Sequence, residues 1–323
     1  MAARRGLTLA ADGQQMSAPA PAADSRSGAT EPASQIPPAW HEAQAVLLWP
    51  GAPPGGGFAP APPPADFPAT FLTNIAAPEM RVFRSAHPNR RALLIMPGGA
   101  YRFLSIRNEG SDIAEAFTAL GYTVFVLCYR LPGEGWLARA DVPLADARRA
   151  MRLIRRDAAS YGIDPAQVAA IGFSAGGHLA AMLLTGGDDA NDAVFDDCRH
   201  IPARPACGAL VYPVISLEPP LTHQLSAETL LGPDPAPGVV ARHSPARRVS
   251  DETPPLFMVH ARDDEAVPWM NTQLMVDALR GAGRPFEVHL VEQGGHGFGL
   301  GPEDTPAREW PALLARWLDR AFG

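Results

Sequence analysis

From Arg81 onward the chain alternates short, unbroken apolar runs with longer stretches whose apolar residues return every three or four positions. The runs Ala92–Met96, Tyr122–Cys128, Gln167–Ile171, Ala209–Tyr212, Leu256–His260 and Glu287–Val291 predict strands. The stretches Gly110–Leu120, Pro143–Tyr161, Ala175–Leu184, Pro268–Gly281 and Thr305–Ala321 predict helices. In the second of these, Leu144, Ala147, Met151, Ile154 and Ala158 fall on one stripe, which a helix can bury against a sheet. Strand and helix in alternation predict an α/β fold: a mostly parallel, twisted sheet with helices on both faces. Such a sheet puts its ligand sites in the loops beyond the carboxyl ends of the strands. No fixed-period repeat interrupts the pattern.

Before Arg81 the pattern is different. Residues 1–70 hold 13 of the 35 prolines, and runs such as Ala18–Ala23 and Ala59–Ala65 favour extended, unpacked chain. Residues 1–40 therefore read as a disordered, Ala/Pro-rich segment and 41–323 as one domain, the size of a single large α/β unit. Ala45–Pro50 and the Gly55-Gly56-Gly57 run read as chain laid over the domain surface.

Composition narrows the function. With 46% apolar and 19% charged residues the chain can bury a large core, and its net charge of −7 comes without a basic block. That excludes the electrostatic footprint of a nucleic-acid or anionic-membrane binder and favours small or neutral polymeric substrates. No apolar run reaches the length of a membrane span, and Arg4 and Arg5 precede only Gly6–Ala11, short of a signal-peptide core. The three cysteines lack the paired spacings of a metal site; Cys128 reads as a buried thiol, and Cys198 and Cys207 as a pair that could bridge a loop.

Ser174 stands in Gly172-Phe173-Ser174-Ala175-Gly176, between a predicted strand and a predicted helix. A sharp strand-to-helix turn needs glycine at its flanks and leaves the serine hydroxyl exposed, the setting of a nucleophile. A serine is a weak nucleophile unless a base takes its proton and a third group orients that base. His296, in Gly294-Gly295-His296-Gly297-Phe298 after the last predicted strand, is the candidate base. The acid comes from Asp263-Asp264-Glu265 after the strand before it. Asp264 is preferred, with Asp263 the alternative, because the helix start at Val267-Pro268 fixes how far back the inward-pointing residue lies. The order Ser174, Asp264, His296 is that of α/β-hydrolases and of neither chymotrypsin-like nor subtilisin-like enzymes.

Developing charge on a tetrahedral intermediate needs waiting donors. Gly98 and Gly99, after the strand Ala92–Met96, together with Ala175 supply the candidate oxyanion amides. Tyr101 either lines the substrate pocket or packs against the first helix. His178 reads as structural, and Glu109 and Asp146 as helix-end charges. No cofactor or metal is called for.

Taken together, Pro97-Gly98-Gly99-Ala100-Tyr101, Glu109-Gly110, Tyr129-Arg130-Leu131-Pro132, Gly172 to Ala180 and Gly294 to Gly299 resemble the bacterial acetyl xylan and feruloyl esterase-like α/β-hydrolases. Leu48-Trp49-Pro50-Gly51 and Tyr212 to Ser216 extend the likeness over roughly residues 45–300. The resemblance implies hydrolysis of ester groups on plant cell-wall polysaccharides, often by exported enzymes, with a cytoplasmic location as the alternative, and with Ser174, Asp264 and His296 at the family's triad positions. Ala261 departs from the family pattern, where glycine is usual. The rival readings are a serine peptidase of the prolyl-oligopeptidase type, which ordinarily carries a large extra domain, and a non-catalytic binding module on a hydrolase fold, which ordinarily loses one of the three residues.

Overall fold

In the computed structural model, which describes residues 35–186 and 197–323, the apolar runs are the strands of one eight-stranded sheet. In chain order the elements are α1 Pro38–Glu42, β1 Gln44–Leu47, β2 Phe71–Leu72, β3 Glu79–Phe83, β4 Ala92–Met96 and β5 Leu104–Ser105. A π-helical turn, Arg107–Ser111, leads into α2 Asp112–Thr118, followed by β6 Thr123–Cys128, α3 Val142–Arg156 and α4 Ala158–Tyr161. Then come β7 Val168–Phe173, α5 Ser174–Thr185, β8 Cys207–Val211, α6 Gln224–Leu231 and α7 Pro237–Arg242. Last are β9 Leu256–Ala261, α8 Met270–Gly281, β10 Phe286–Val291 and α9 Trp310–Ala321.

The sheet runs β1-β3-β6-β4-β7-β8-β9-β10. From β6 to β10 every neighbour is parallel, and β3 alone runs against the strands on either side of it. The central strands β4, β6, β7, β8 and β9 are buried at every position, because helices cover both faces and an apolar side chain is wanted whichever way it points. At the margins the demand relaxes: β10 is half-buried throughout and β1 is largely exposed. Phe117 of α2 meets Trp310 of α9, and α3 packs on α5. The compact unit that these elements form spans Ser34–Gly323. Among the described residues no helix is long and apolar enough to cross a membrane.

Three expectations change at the amino-terminal side. The segment expected to be unpacked up to residue 40 already carries α1, and Trp40 is buried against Phe83; the expectation for residues 1–34 lies outside the described residues. Ala45–Pro50 is not draped chain: Gln44–Leu47 is the edge strand of the sheet, and Leu48 and Trp49 are buried. Asp146 is no helix-end charge. It is fully buried in α3, where Arg130 grips it with Nε and Nη2 at 2.8 Å each, the Arg130 amide at 3.0 Å and the Trp49 indole at 2.9 Å. Arg149 adds a 2.7 Å bond to the Leu48 carbonyl, so one face of α3 holds the entering chain against the sheet. The cysteines are all buried and free, so the Cys198–Cys207 bridge is not formed. Burial pushes the thiols of Cys128 and Cys207 up, the latter to about 12.

Candidate active site

Ser174 opens α5 directly after β7, with a backbone φ of 51°. That left-handed conformation is strained for a residue with a Cβ, and it lifts the side chain off the end of the sheet. The turn can be this tight only because Gly176 faces the β4 end: a Cβ there would lie 2.1 Å from the Met96 carbonyl oxygen. Sequence and strain thus meet at one point, where small neighbours permit a conformation that the serine itself resists.

The Ser174 hydroxyl lies 2.9 Å from Nε2 of His296, and Nδ1 of His296 lies 2.7 Å from Oδ2 of Asp264. With Nδ1 donating to a carboxylate, Nε2 is left as the acceptor for the serine proton. The Asp264 side chain is fully buried, whereas His296 retains a quarter of its exposure. Burial works to raise the Asp264 pKa, but hydrogen bonds from His260 and His296, the His296 charge and the Val267 amide outweigh it and hold the carboxyl well below the usual carboxylate range.

Sequence reasoning did not find His260, the last-but-one residue of β9. Its Nε2 reaches Asp264 Oδ2 at 3.1 Å and the Val267 carbonyl at 3.0 Å, and its Nδ1 lies 2.8 Å from the Thr272 hydroxyl. Facing two acceptors, Nε2 carries the hydrogen, so His260 is a second, fully buried donor to Asp264. Oδ1 of Asp264 takes the amides of Ala266 and Val267. Asp263, the alternative acid, is exposed and accepts the amides of Gly295 at 2.8 Å and Gly294 at 3.3 Å. It ties down the loop that bears His296 instead of touching the imidazole.

The expected oxyanion donors divide. Ala175 lies in the first turn of α5, where amides have no intrahelical acceptor. Gly99, with φ 133°, sits against Phe103: a Cβ would come within 2.1 Å of the Phe103 carbonyl oxygen. Gly98 is a correction. Its N–H donates to Oε2 of Glu109 at 2.7 Å, so that amide is already taken. Tyr101 corrects the pocket alternative: its side chain is buried, its hydroxyl meets Nδ1 of His178 at 2.8 Å, and its ring packs against Tyr129. His178 is buried as expected of a structural residue; Nε2 donates to the His243 carbonyl, and burial lowers its pKa to about 4. His223, just before α6, lies within electrostatic reach of both His296 and Asp264.

Comparison with known proteins gives the family and the fold. Residues 84–279 match the family model described as BD-FAE. The chain is 31% identical over 234 residues to an acetylxylan esterase of Xylanibacter ruminicola, a match covering 71% of this chain and 45% of that protein. It thus spans less than half the length of that curated relative. Among solved structures it resembles an acetyl ester-xyloside bifunctional hydrolase from Caldicellulosiruptor lactoaceticus, with a TM-score of 0.74 and 33% identity over 86% of this chain and 96% of that one. It also resembles MGS-M1, an α/β-hydrolase enzyme from a Medee basin deep-sea metagenome library, with a TM-score of 0.59 and 29% identity over 76% and 93% of the two chains. The fold is the α/β-hydrolase fold.

Proposed function

The chain belongs to the BD-FAE family, and on that premise we propose that it is a serine carboxylic-ester hydrolase that works through an acyl-enzyme. Its substrates are acetyl or other short acyl esters of carbohydrate, of the xylan kind. The observation that carries the chemistry is the unbroken row from Ser174 through His296 to the buried Asp264, at 2.9 and 2.7 Å. The substrate class rests on the likeness to the acetylxylan esterase and the acetyl ester-xyloside hydrolase.

His296 Nε2 accepts the Ser174 hydroxyl proton as the oxygen attacks the ester carbonyl. The amides of Gly99 and Ala175 stabilise the oxyanion, with Ala175 adding the positive end of α5. Protonated His296 then hands its proton to the leaving alcohol, and water repeats the sequence on the acyl-enzyme. Asp264 fixes the imidazole tautomer and balances its charge without taking a proton. Its depressed pKa suits that role, since it stays ionised at any pH where His296 acts as a base.

The purified protein should cleave p-nitrophenyl acetate and release acetate from acetylated xylan, and Ser174→Ala should lower turnover by about a million-fold. A peptide amide measured in parallel sets the class. Faster amide than ester cleavage would overturn the esterase reading, and undiminished turnover in Ser174→Ala would overturn the mechanism.

A further inference from the structure

Glu109 lies on the π-turn Arg107–Ser111, where the Ser111 amide bonds back to the Ile106 carbonyl at 2.9 Å. Its carboxylate is buried, and each oxygen meets a different loop of the candidate site. Oε2 accepts the Gly98 amide at 2.7 Å, and Oε1 accepts the Tyr212 hydroxyl at 2.9 Å. The Tyr212 oxygen in turn accepts the Gly299 amide at 3.2 Å, on the loop that bears His296. Asn108, beside Glu109 on the same turn, donates its Nδ2 to the Gly297 carbonyl at 2.8 Å. One turn therefore grips the loop before Gly99 and the loop after His296.

Resting on the function proposed above, we propose that Glu109 is a positioning residue for the reaction, holding the oxyanion loop and the histidine loop in fixed register. The Pro97–Gly98 peptide is clamped at both ends: the Pro97 carbonyl accepts the Tyr129 hydroxyl at 2.7 Å, and the Gly98 amide donates to Glu109. The Gly98 carbonyl takes the Ser105 amide at 3.0 Å. With that peptide fixed, the plane that carries the Gly99 amide has little freedom left. A Cβ on Gly98 would meet Glu109 Oε2 at 2.8 Å and the Ser174 Cβ at 2.9 Å, so carboxylate, loop and nucleophile are stacked without slack.

Two donors facing two oxygens call for an ionised carboxylate, since a glutamine would turn its NH2 toward one of them. A buried charge is an expensive way to satisfy two neutral donors, and burial raises the Glu109 pKa while the Tyr212 and Gly98 bonds and the His296 charge oppose the rise. The titratable groups in its electrostatic surroundings are Tyr212, Tyr129 and His296. Its negative charge therefore favours the imidazolium that His296 forms during turnover, in addition to the support that Asp264 provides.

The test is steady-state kinetics on p-nitrophenyl acetate, per active site titrated with an organophosphonate, for the wild type, Glu109→Gln, Tyr212→Phe and the double variant. Because the rate is taken per titrated site, a variant that merely folds less well loses sites and not kcat. Glu109→Gln should lose about ten- to a hundred-fold in kcat, with KM within about twofold, less than or up to the cost of removing an oxyanion donor outright. The acid limb of its kcat/KM profile should move to lower pH, as removal of a negative charge near the base requires, whereas Tyr212→Phe should leave the limb in place. The double variant should lose less than the product of the two single losses, because both act along one chain of bonds. An unchanged kcat per site in Glu109→Gln, or an acid limb that does not move, overturns the inference. A wild-type protein that titrates with the phosphonate but turns over no ester overturns the proposed function, and this inference with it.

Discussion

Asp146 and Asp264 are both carboxylates with no exposed side-chain surface and a hydrogen bond on every oxygen. Around Asp146 the answering charge is Arg130, itself fully buried and permanently ionised, and the remaining donors are the Arg130 amide and the Trp49 indole. Around Asp264 the answering groups are two histidines, one sealed in the core and one a quarter exposed, with a serine hydroxyl at its far nitrogen. The first arrangement cannot change state without leaving a charge unpaired in the core. The second can move a proton along one row while the carboxylate remains ionised. A buried carboxylate is therefore informative about chemistry only through its partner: a permanent cation makes a fastening, and a titratable base with one open side makes a device.

Substituting the two aspartates separates these roles. Asp264→Asn should lower kcat by about ten-thousand-fold while leaving a folded protein, because the amide enforces the wrong imidazole tautomer; a loss under tenfold would mean that Asp264 does not orient His296. Asp146→Asn should do the reverse. It strands the Arg130 guanidinium in the core and should cost about 3–5 kcal/mol in a denaturant titration, with kcat per folded molecule near wild type. A stability loss under 1 kcal/mol would show that the cluster is not the fastening described.

His178 sharpens the contrast from a third side, being a buried titratable group that among the described residues meets the Tyr101 hydroxyl and the His243 carbonyl and no carboxylate. Its folded-state pKa of about 4 lies below its ordinary value of 6.5. The unfolded chain therefore binds a proton that the folded chain refuses, and stability present above pH 6.5 is lost as the pH falls toward 4. The loss amounts to about 3 kcal/mol at most. His178→Asn should flatten that part of the stability-versus-pH curve between pH 6.5 and 4 in urea melts. A curve of unchanged slope would mean that His178 is not the group responsible.

Much of the fold was legible because the central strands are buried at every position and apolar at nearly all of them, and β4 is predicted residue for residue. The antiparallel β3, Glu-Met-Arg-Val-Phe, was missed since one of its faces carries Glu79 and Arg81, which pair with each other at 2.7 Å. The edge strand β1 was missed because so little of it is buried. At the site, the serine, the histidine and the acid stand in short local patterns that a single sequence can carry. The glycine pair did not reveal which amide faces outward, because that depends on Glu109, 11 residues further along. Nor could Glu109 and Asp146 be told from surface charges, as their partners Tyr212 and Trp49 lie 103 and 97 residues away. His260 was read only as the end of a strand, and the signal that could have flagged it is a lone imidazole four residues before the acid, inside an otherwise apolar run.

The strained φ of Ser174 has a consequence for anyone who alters this protein by selection. Glycine adopts that conformation without steric cost, so position 174 is one where folding alone favours losing the hydroxyl. A library screened only for heat tolerance or soluble yield should drift there toward Ser174→Gly, and the winners would look improved on every gel and thermogram. Only a screen that demands turnover in every round would keep the serine, which makes this position a built-in audit of what a selection rewards.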